Sequence, residues 1–200
     1  MARRSEHSQE EIKEMVLKAA ESIVIEEGFS ELKVRKVAME IGYTVGSIYM
    51  VFDNMADLIM HVKGKTLDDI DEQLKLLVTD EKAEKIIGQL AKSYAAFAEQ
   101  HYNRWNMVFE HHLAENATVP DWYQKKVDGI FGLIEFQFER LSTSHNEEQR
   151  KMAARTLWSG VHGICTLSLT GKMDLLGSNN MNEAVVLLVE NFIKGWKSVK

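Results

Sequence analysis

One proline, Pro120, and one cysteine, Cys165, occur among the 200 residues. The near-absence of proline, beside abundant Ala, Leu, Glu, Lys and Met, predicts a mostly helical chain. A lone cysteine excludes an intrachain disulfide and fits a reducing, cytoplasmic setting. No apolar run reaches membrane-spanning length, so no membrane partner is expected. The start, MARRSEHSQEEIKEM, turns acidic where a signal peptide would turn apolar, so no targeting segment is expected. There is no surplus of positive charge: the formal net charge of -6 argues against indiscriminate coating of nucleic acid, while leaving room for a local footprint on one face. The chain also lacks G-x-G-x-x-G, a phosphate-cradling P-loop and H-E-x-x-H, and shows neither internal repeats nor strand-like alternation.

What is present is helical periodicity. Ser8, with Glu11 three residues later, forms a plausible capping box. Ile12, Met15, Val16, Ala19, Ala20, Ile23 and Val24 then recur at three- and four-residue spacing, Gly28 ends the helix and Phe29 folds back onto the stripe. A second helix is expected over Val34 to Ile41, closed by Gly42, and Thr44 is placed to cap a third. Helix, tight glycine turn, short helix is the helix-turn-helix pattern. Asn54 caps a fourth helix whose first turn carries Asp57; its sided run of Leu58, Ile59, Val62, Leu67, Ile70, Leu74 and Leu77 reaches Thr79. Beyond a polar break at 79–81, helices are expected from Glu84 to Trp105, from Pro120 to Leu141, from Glu147 to about Lys172 and from Asn182 to Val199. The expected fold is all-α with about nine helices: a head over residues 1–54, with the helix-turn-helix at about 33–52, and a separate helical body over residues 55–200.

The third helix carries the chemistry. On a helical wheel Ile48, Val51 and Phe52 face inward, whereas Gly46, Ser47, Tyr49 and Met50 face outward. A charge-free outward face is unusual in water and suits a major groove: Thr44 and Ser47 can bond a phosphate or base edge, Tyr49 can reach phosphate, and Val45 or Met50 can touch a thymine methyl. The competing reading is a purely structural three-helix unit.

From about Met15 to Met60 the pattern AA, EEGF, VRKVA, EIGYTVGSIY, F and N resembles the tetracycline-repressor (TetR) family of bacterial regulators, through the spacing of Gly28-Phe29, Val37-Ala38, Gly42, Gly46, Tyr49 and Phe52. Trp158 and His162-Gly163 resemble the effector domain of the Trp-His-Gly subfamily. The resemblance implies a homodimer bound to double-stranded operator DNA, with recognition helices in major grooves about 34–36 Å apart or multiples of that. It also implies a small-molecule effector that releases the DNA. Carried over by position, Arg35, Thr44, Val45, Ser47 and Tyr49 contact DNA, with Lys36 and Met50 beside them and Arg3 and Arg4 as a possible arm. The chain departs from the family pattern at Lys33, where a Ser or Thr cap is usual and Ser30 becomes the nearer candidate. It departs again at Val51, and at Met55, where the family usually has a phosphate-binding Lys. Each missing cation removes about one unit of salt slope.

In the body, Tyr94, Phe97, Trp105, Phe109, His112, Phe131, Phe138, Trp158 and His162 are the expected effector-site residues, most of which also read as plain core. Their aromatic, non-basic character favours an uncharged or amphipathic effector. Leu157, Gly160, Val161 and Ile164, with Val185, Leu188, Phe192 and Trp196, make small and apolar surfaces on the last two helices, expected in a two-fold dimer seam. His111, His112 and Glu115 match no metal-ligand spacing. Ser159 and His162 share one helix without a nucleophile turn, and Cys165 reads as a small buried hydrophobe. No metal, cofactor or catalytic set is expected. The function read from sequence is a TetR-like repressor. The alternative is a DNA-binding scaffold of the same fold, acting through a protein partner.

Overall fold

The computed structural model describes residues 7–111, 118–142, 144–177 and 180–198. Among these residues there are nine α-helices and no strand: α1 Gln9–Glu27, α2 Val34–Glu40, α3 Val45–Ile48, α4 Met55–Lys75, α5 Ala83–Gln100, α6 Tyr102–Glu110, α7 Asp121–Leu141, α8 Glu147–Leu169 and α9 Met181–Ser198. Short 3₁₀ turns occupy Phe29–Glu31 and Asp174–Leu176. The all-α expectation holds. No described helix is long and apolar enough to cross a membrane. The chain divides into two compact units, one containing residues 1–66 and 103–123, the other 67–102 and 124–200.

The first unit is built on α1. The Ser8 hydroxyl accepts from the Glu11 amide, and the Glu11 carboxylate accepts from the Ser8 amide. Hydrogen bonding with Ser8 holds the Glu11 carboxyl below its usual range, because it favours the charged form. Gly28 ends the helix at φ +88°, ψ 170°, an extended conformation reserved for glycine. Ile12, Val16, Ala20, Ile23 and Val24 bury against Val37 and Ala38 of α2, Ile48, Phe52, and Leu58, Ile59 and Val62 of α4, with Phe29 packed at the edge. Asn54 caps α4 through its side chain, which accepts from the Asp57 amide at 3.0 Å.

Residues 103–111 and 118–123 join this unit, which sequence periodicity does not reveal. Met107 lies in the same core cluster. The Asn103 amide nitrogen donates to the Ile25 carbonyl at 2.9 Å, and Arg104 pairs with Glu21 at 3.0 Å, a carboxylate that also meets Lys65. The rings of His61 and Trp122 stack at 4.7 Å. Lys63 is buried, with its ammonium 3.4 Å from the His111 carbonyl and 5.7 Å from the Tyr123 ring centre. Burial lowers the Lys63 pKa and pushes the Tyr123 phenol up to about 12.

In the second unit α5 packs against α8 and α9, and α8 against α9. Glu84 at the start of α5 pairs with Lys197 at the end of α9, so these helices run antiparallel. The stretch expected as one helix from Glu84 to Trp105 breaks at His101, whose backbone leaves helical geometry at φ -125°, ψ 41°. No proline or glycine marks the break, and the boundary between the units falls just after it, between Tyr102 and Asn103. Asn146 and Gln149 form a second reciprocal capping box at the start of α8. Arg140 of α7 donates to the carbonyls of Thr79, Asp80 and Glu81 and to the Gln137 side chain, tying down the polar segment between α4 and α5.

Candidate nucleic-acid interface and interior site

The reading face forms because α2 and α3 are stopped and started by specific groups. Gly42, at φ +71°, turns the chain where a side chain would be strained. The Thr44 hydroxyl accepts from the Ser47 amide at 3.2 Å and lies 3.0 Å from the Ser47 hydroxyl. Helix α3 is short, yet its hydrogen bonding continues through the Phe52 amide to the Ile48 carbonyl at 3.0 Å. This length lets Ile48 and Phe52 bury completely while Gly46, Tyr49 and Met50 stay outside, Tyr49 42% and Met50 69% exposed. Val45 and Ser47 are half-buried. The face has no charge, and its polar atoms are two hydroxyls and a phenol.

Cations border the face rather than sit on it. Arg35 is exposed, whereas Lys36 pairs with Glu27, and Lys33 with Glu31 at 3.1 Å. Lys33 caps α2 with its backbone carbonyl alone; Ser30, the side-chain cap expected in its place, lies in the 3₁₀ turn. Sequence reading missed two contacts that brace the face from behind: the Tyr43 hydroxyl lies 2.7 Å from Nδ1 of His7, and the Lys13 ammonium stands 5.6 Å from the Phe52 ring centre. Arg3, Arg4, His112, Glu115 and Val199 lie outside the described residues.

Among the residues expected to bind an effector, the second unit brings four together. Trp158 and His162 stack at 5.1 Å, Phe131 meets the Trp158 edge at 5.5 Å, and Tyr94 lies 6.2 Å from Trp158. The Tyr94 hydroxyl is 3.0 Å from Nδ1 of His162, and Thr166 is near its other ring nitrogen. Burial lowers the His162 pKa, favouring the neutral imidazole. Beside this group lies a small cavity of about 30 Å³, lined by Tyr94 and Trp158 with Leu74, Leu90, Ile130 and Leu157. The other aromatics lie elsewhere. Phe97 packs on His101, and Phe138 is fully buried between Phe192 and Trp196. Trp105 and Phe109 pack on each other within the first unit.

Several residues expected at a dimer seam are occupied inside the protomer. Leu157, Val161 and Val185 are buried in the core, and Trp196 stacks on His145 at 3.7 Å. Gly160 permits the close approach of α8 and α9, since a Cβ there would meet Leu188 at 2.7 Å. Ile164 is half-buried, and the large apolar side chains left open on these helices are Met152 and Leu187, of which sequence reading picks out only Leu187, as widening the apolar stripe of the last helix. The Ser159 hydroxyl donates to the Arg155 carbonyl one turn back. Burial pushes the Cys165 thiol up to about 11, which suppresses the reactive thiolate.

Two family models match: residues 16–62 the "Bacterial regulatory proteins, tetR family" model, and residues 87–192, over half of the chain, the "Tetracyclin repressor-like, C-terminal domain" model. The chain belongs to the TetR family. It is a TetR-family transcriptional regulator with a DNA-binding helix-turn-helix domain. It is 24% identical over 175 residues to an uncharacterized HTH-type transcriptional regulator of Mycobacterium tuberculosis, covering 88% of this chain and 78% of that protein. In fold it is similar to a Rhodococcus sp. RHA1 protein of unknown function, with TM-score 0.76, 19% identity and 98% of both chains covered. It is also similar to a TetR transcriptional regulator from the same organism, with TM-score 0.66, 14% identity, and 92% and 97% of the two chains covered.

Proposed function

We propose that this TetR regulator is a repressor that binds operator DNA as a homodimer and is released by a small apolar or aromatic effector. The observation that carries this reading is the exposed, uncharged face of α3, capped by Thr44 over a fully buried Ile48. Thr44, Val45, Ser47, Tyr49 and Met50 read the groove, while Arg35 and Lys36 supply phosphate contacts. Residues 1–54 act as the reading head and 55–200 as the effector and dimerisation domain. The dimer seam runs along α8 and α9 through Ile164, Leu187 and Leu188. The effector enters between Tyr94, Trp158 and His162, and its higher affinity for one arrangement of the two heads supplies the coupling.

The test is a gel shift and footprint on DNA upstream of the protein's own gene. A sequence-specific shift at low salt is expected, protecting two half-sites spaced by whole helical turns. Absence of any specific shift overturns the reading.

One observation favours a second reading. A cavity of about 30 Å³ holds little more than a water molecule, so an effector must first open the interior. A closed body suits a DNA-binding scaffold that acts through a protein partner and has no effector. Operator occupancy in cells that stays constant across growth conditions would favour the scaffold.

A further inference from the structure

The volume missing from the interior is present at the surface. Between α5 and α9 runs a groove of about 900 Å³, within the range of small-molecule sites, whereas the interior cavity falls far below it. Its floor is apolar: the buried Val189 and Ile193 of α9 line it together with Gly88 of α5, where an added Cβ would meet nothing within 4 Å. Its charges are four lysines and two glutamates, a positive surplus in a chain whose formal net charge is -6. Glu84 and Lys197 pair at 2.6 Å at one end, and Lys85 turns to Glu81. Lys92 and Lys194 line the groove from opposite helices, and neither forms an ion pair among the described residues. Glu190 is the one groove carboxylate left without an ion pair there.

We infer that this groove binds a small amphipathic carboxylate, its apolar body lying along Gly88, Val189 and Ile193 and its anionic end between Lys92 and Lys194. Size and charge choose this occupant. The groove runs from Glu84 to Lys92 on α5 and from Val185 to Ser198 on α9, roughly 12 Å and 20 Å at the helical rise. Such a slot cannot supply the roughly 800 Å² per partner that a specific protein interface buries. A second copy of the chain is disfavoured further by the lysines, since charged residues are depleted from interface cores. Two flexible ammonium groups suit a single carboxylate without fixing its plane, as an arginine fork would. The apolar floor supplies the affinity that ion pairs in water do not.

The test is titration calorimetry of the full chain with decanoate below its micelle concentration. Decan-1-ol is the neutral match and butyrate the anion without a body. Saturable binding of one decanoate per chain is expected, at least tenfold tighter than either control. The K92Q/K194Q double variant should weaken decanoate at least tenfold and leave decan-1-ol unchanged. Gly88→Leu, which fills the groove from a position with open space around it, should abolish decanoate binding. Circular dichroism melts verify that both variants fold. No decanoate binding at 1 mM overturns the inference, as does equal affinity for decan-1-ol. Binding that survives Gly88→Leu also overturns it, because the ligand then sits elsewhere, the interior cavity included.

Discussion

The two units use their side chains in opposite senses. In the first, aliphatic residues from α1 to α4 close a core, and the candidate reading groups on α3 point away from it. In the second, Tyr94, Trp158 and His162 turn toward one another, so the polar groups that would recognise a ligand also take part in the packing. An outward site can change its chemistry without disturbing the fold. An inward site cannot, because each substitution there also alters the core around it. Recognition and stability should therefore separate in the first unit and move together in the second.

The largest effect should come from breaking the first unit's core. Phe52→Ala removes a buried ring against α1 and α4 and should cost about 3–5 kcal/mol in denaturant unfolding, abolishing DNA binding through loss of fold. Next comes the α8–α9 contact. Gly160→Ile forces a branched side chain against Leu188 and should cost about 1–3 kcal/mol. Adding Leu188→Ala should restore part of that loss, and a double-mutant cycle measures how much. The sharpest test of separability is smaller. Tyr49→Ala should weaken operator binding about tenfold, near 1.4 kcal/mol, while stability shifts by less than about 0.5 kcal/mol. Wild-type affinity for that variant would remove Tyr49 from the reading face. Few cations border α3, so the operator affinity of the native protein should fall only gently with salt.

The smallest effect is a pH dependence in the second unit. Burial depresses the His162 pKa below its ordinary 6.5. As pH falls through that value the unfolded chain takes up a proton that the folded imidazole refuses, so stability declines on the acid side until the folded pKa is passed. Above pH 6.5 both states are neutral there and the contribution vanishes. Thermal melts from pH 7.5 to 5 should show this decline, and His162→Gln should flatten it.

The same contrast explains what could be read from the sequence. Ser8 with Glu11, Thr44 three residues before Ser47, and Asn54 before Asp57 are local devices, each with donor and acceptor within one helical turn, and all form as the spacing predicts. The inward set Ile48, Val51 and Phe52 was likewise legible from a single wheel: Ile48 and Phe52 are buried and Val51 packs half-buried on the same core. Packing across long sequence separations was not. Apolar spacing on α8 marks Leu157 and Val161 as buried without saying against what, so a seam between protomers and a core within one look alike. Nor does periodicity reveal that His101 ends α5, or that Arg104 reaches Glu21. Both depend on partners roughly eighty residues away or on backbone geometry set by them.

The Arg140 guanidinium has a consequence of another kind. It clasps three carbonyls roughly sixty residues earlier in the chain, and so closes a ring of α5, α6 and α7 without a covalent bond. A cross-link over that contour restricts the unfolded chain little unless it survives unfolding, and a hydrogen-bonded clasp does not. Its worth lies in the native state. Released, the stretch Thr79–Glu81 becomes an open acidic strand, the kind of substrate a glutamate-specific protease cuts first. In a chain whose only cysteine is buried and solitary, a planar cation holds this segment in the native state alone, and does so reversibly.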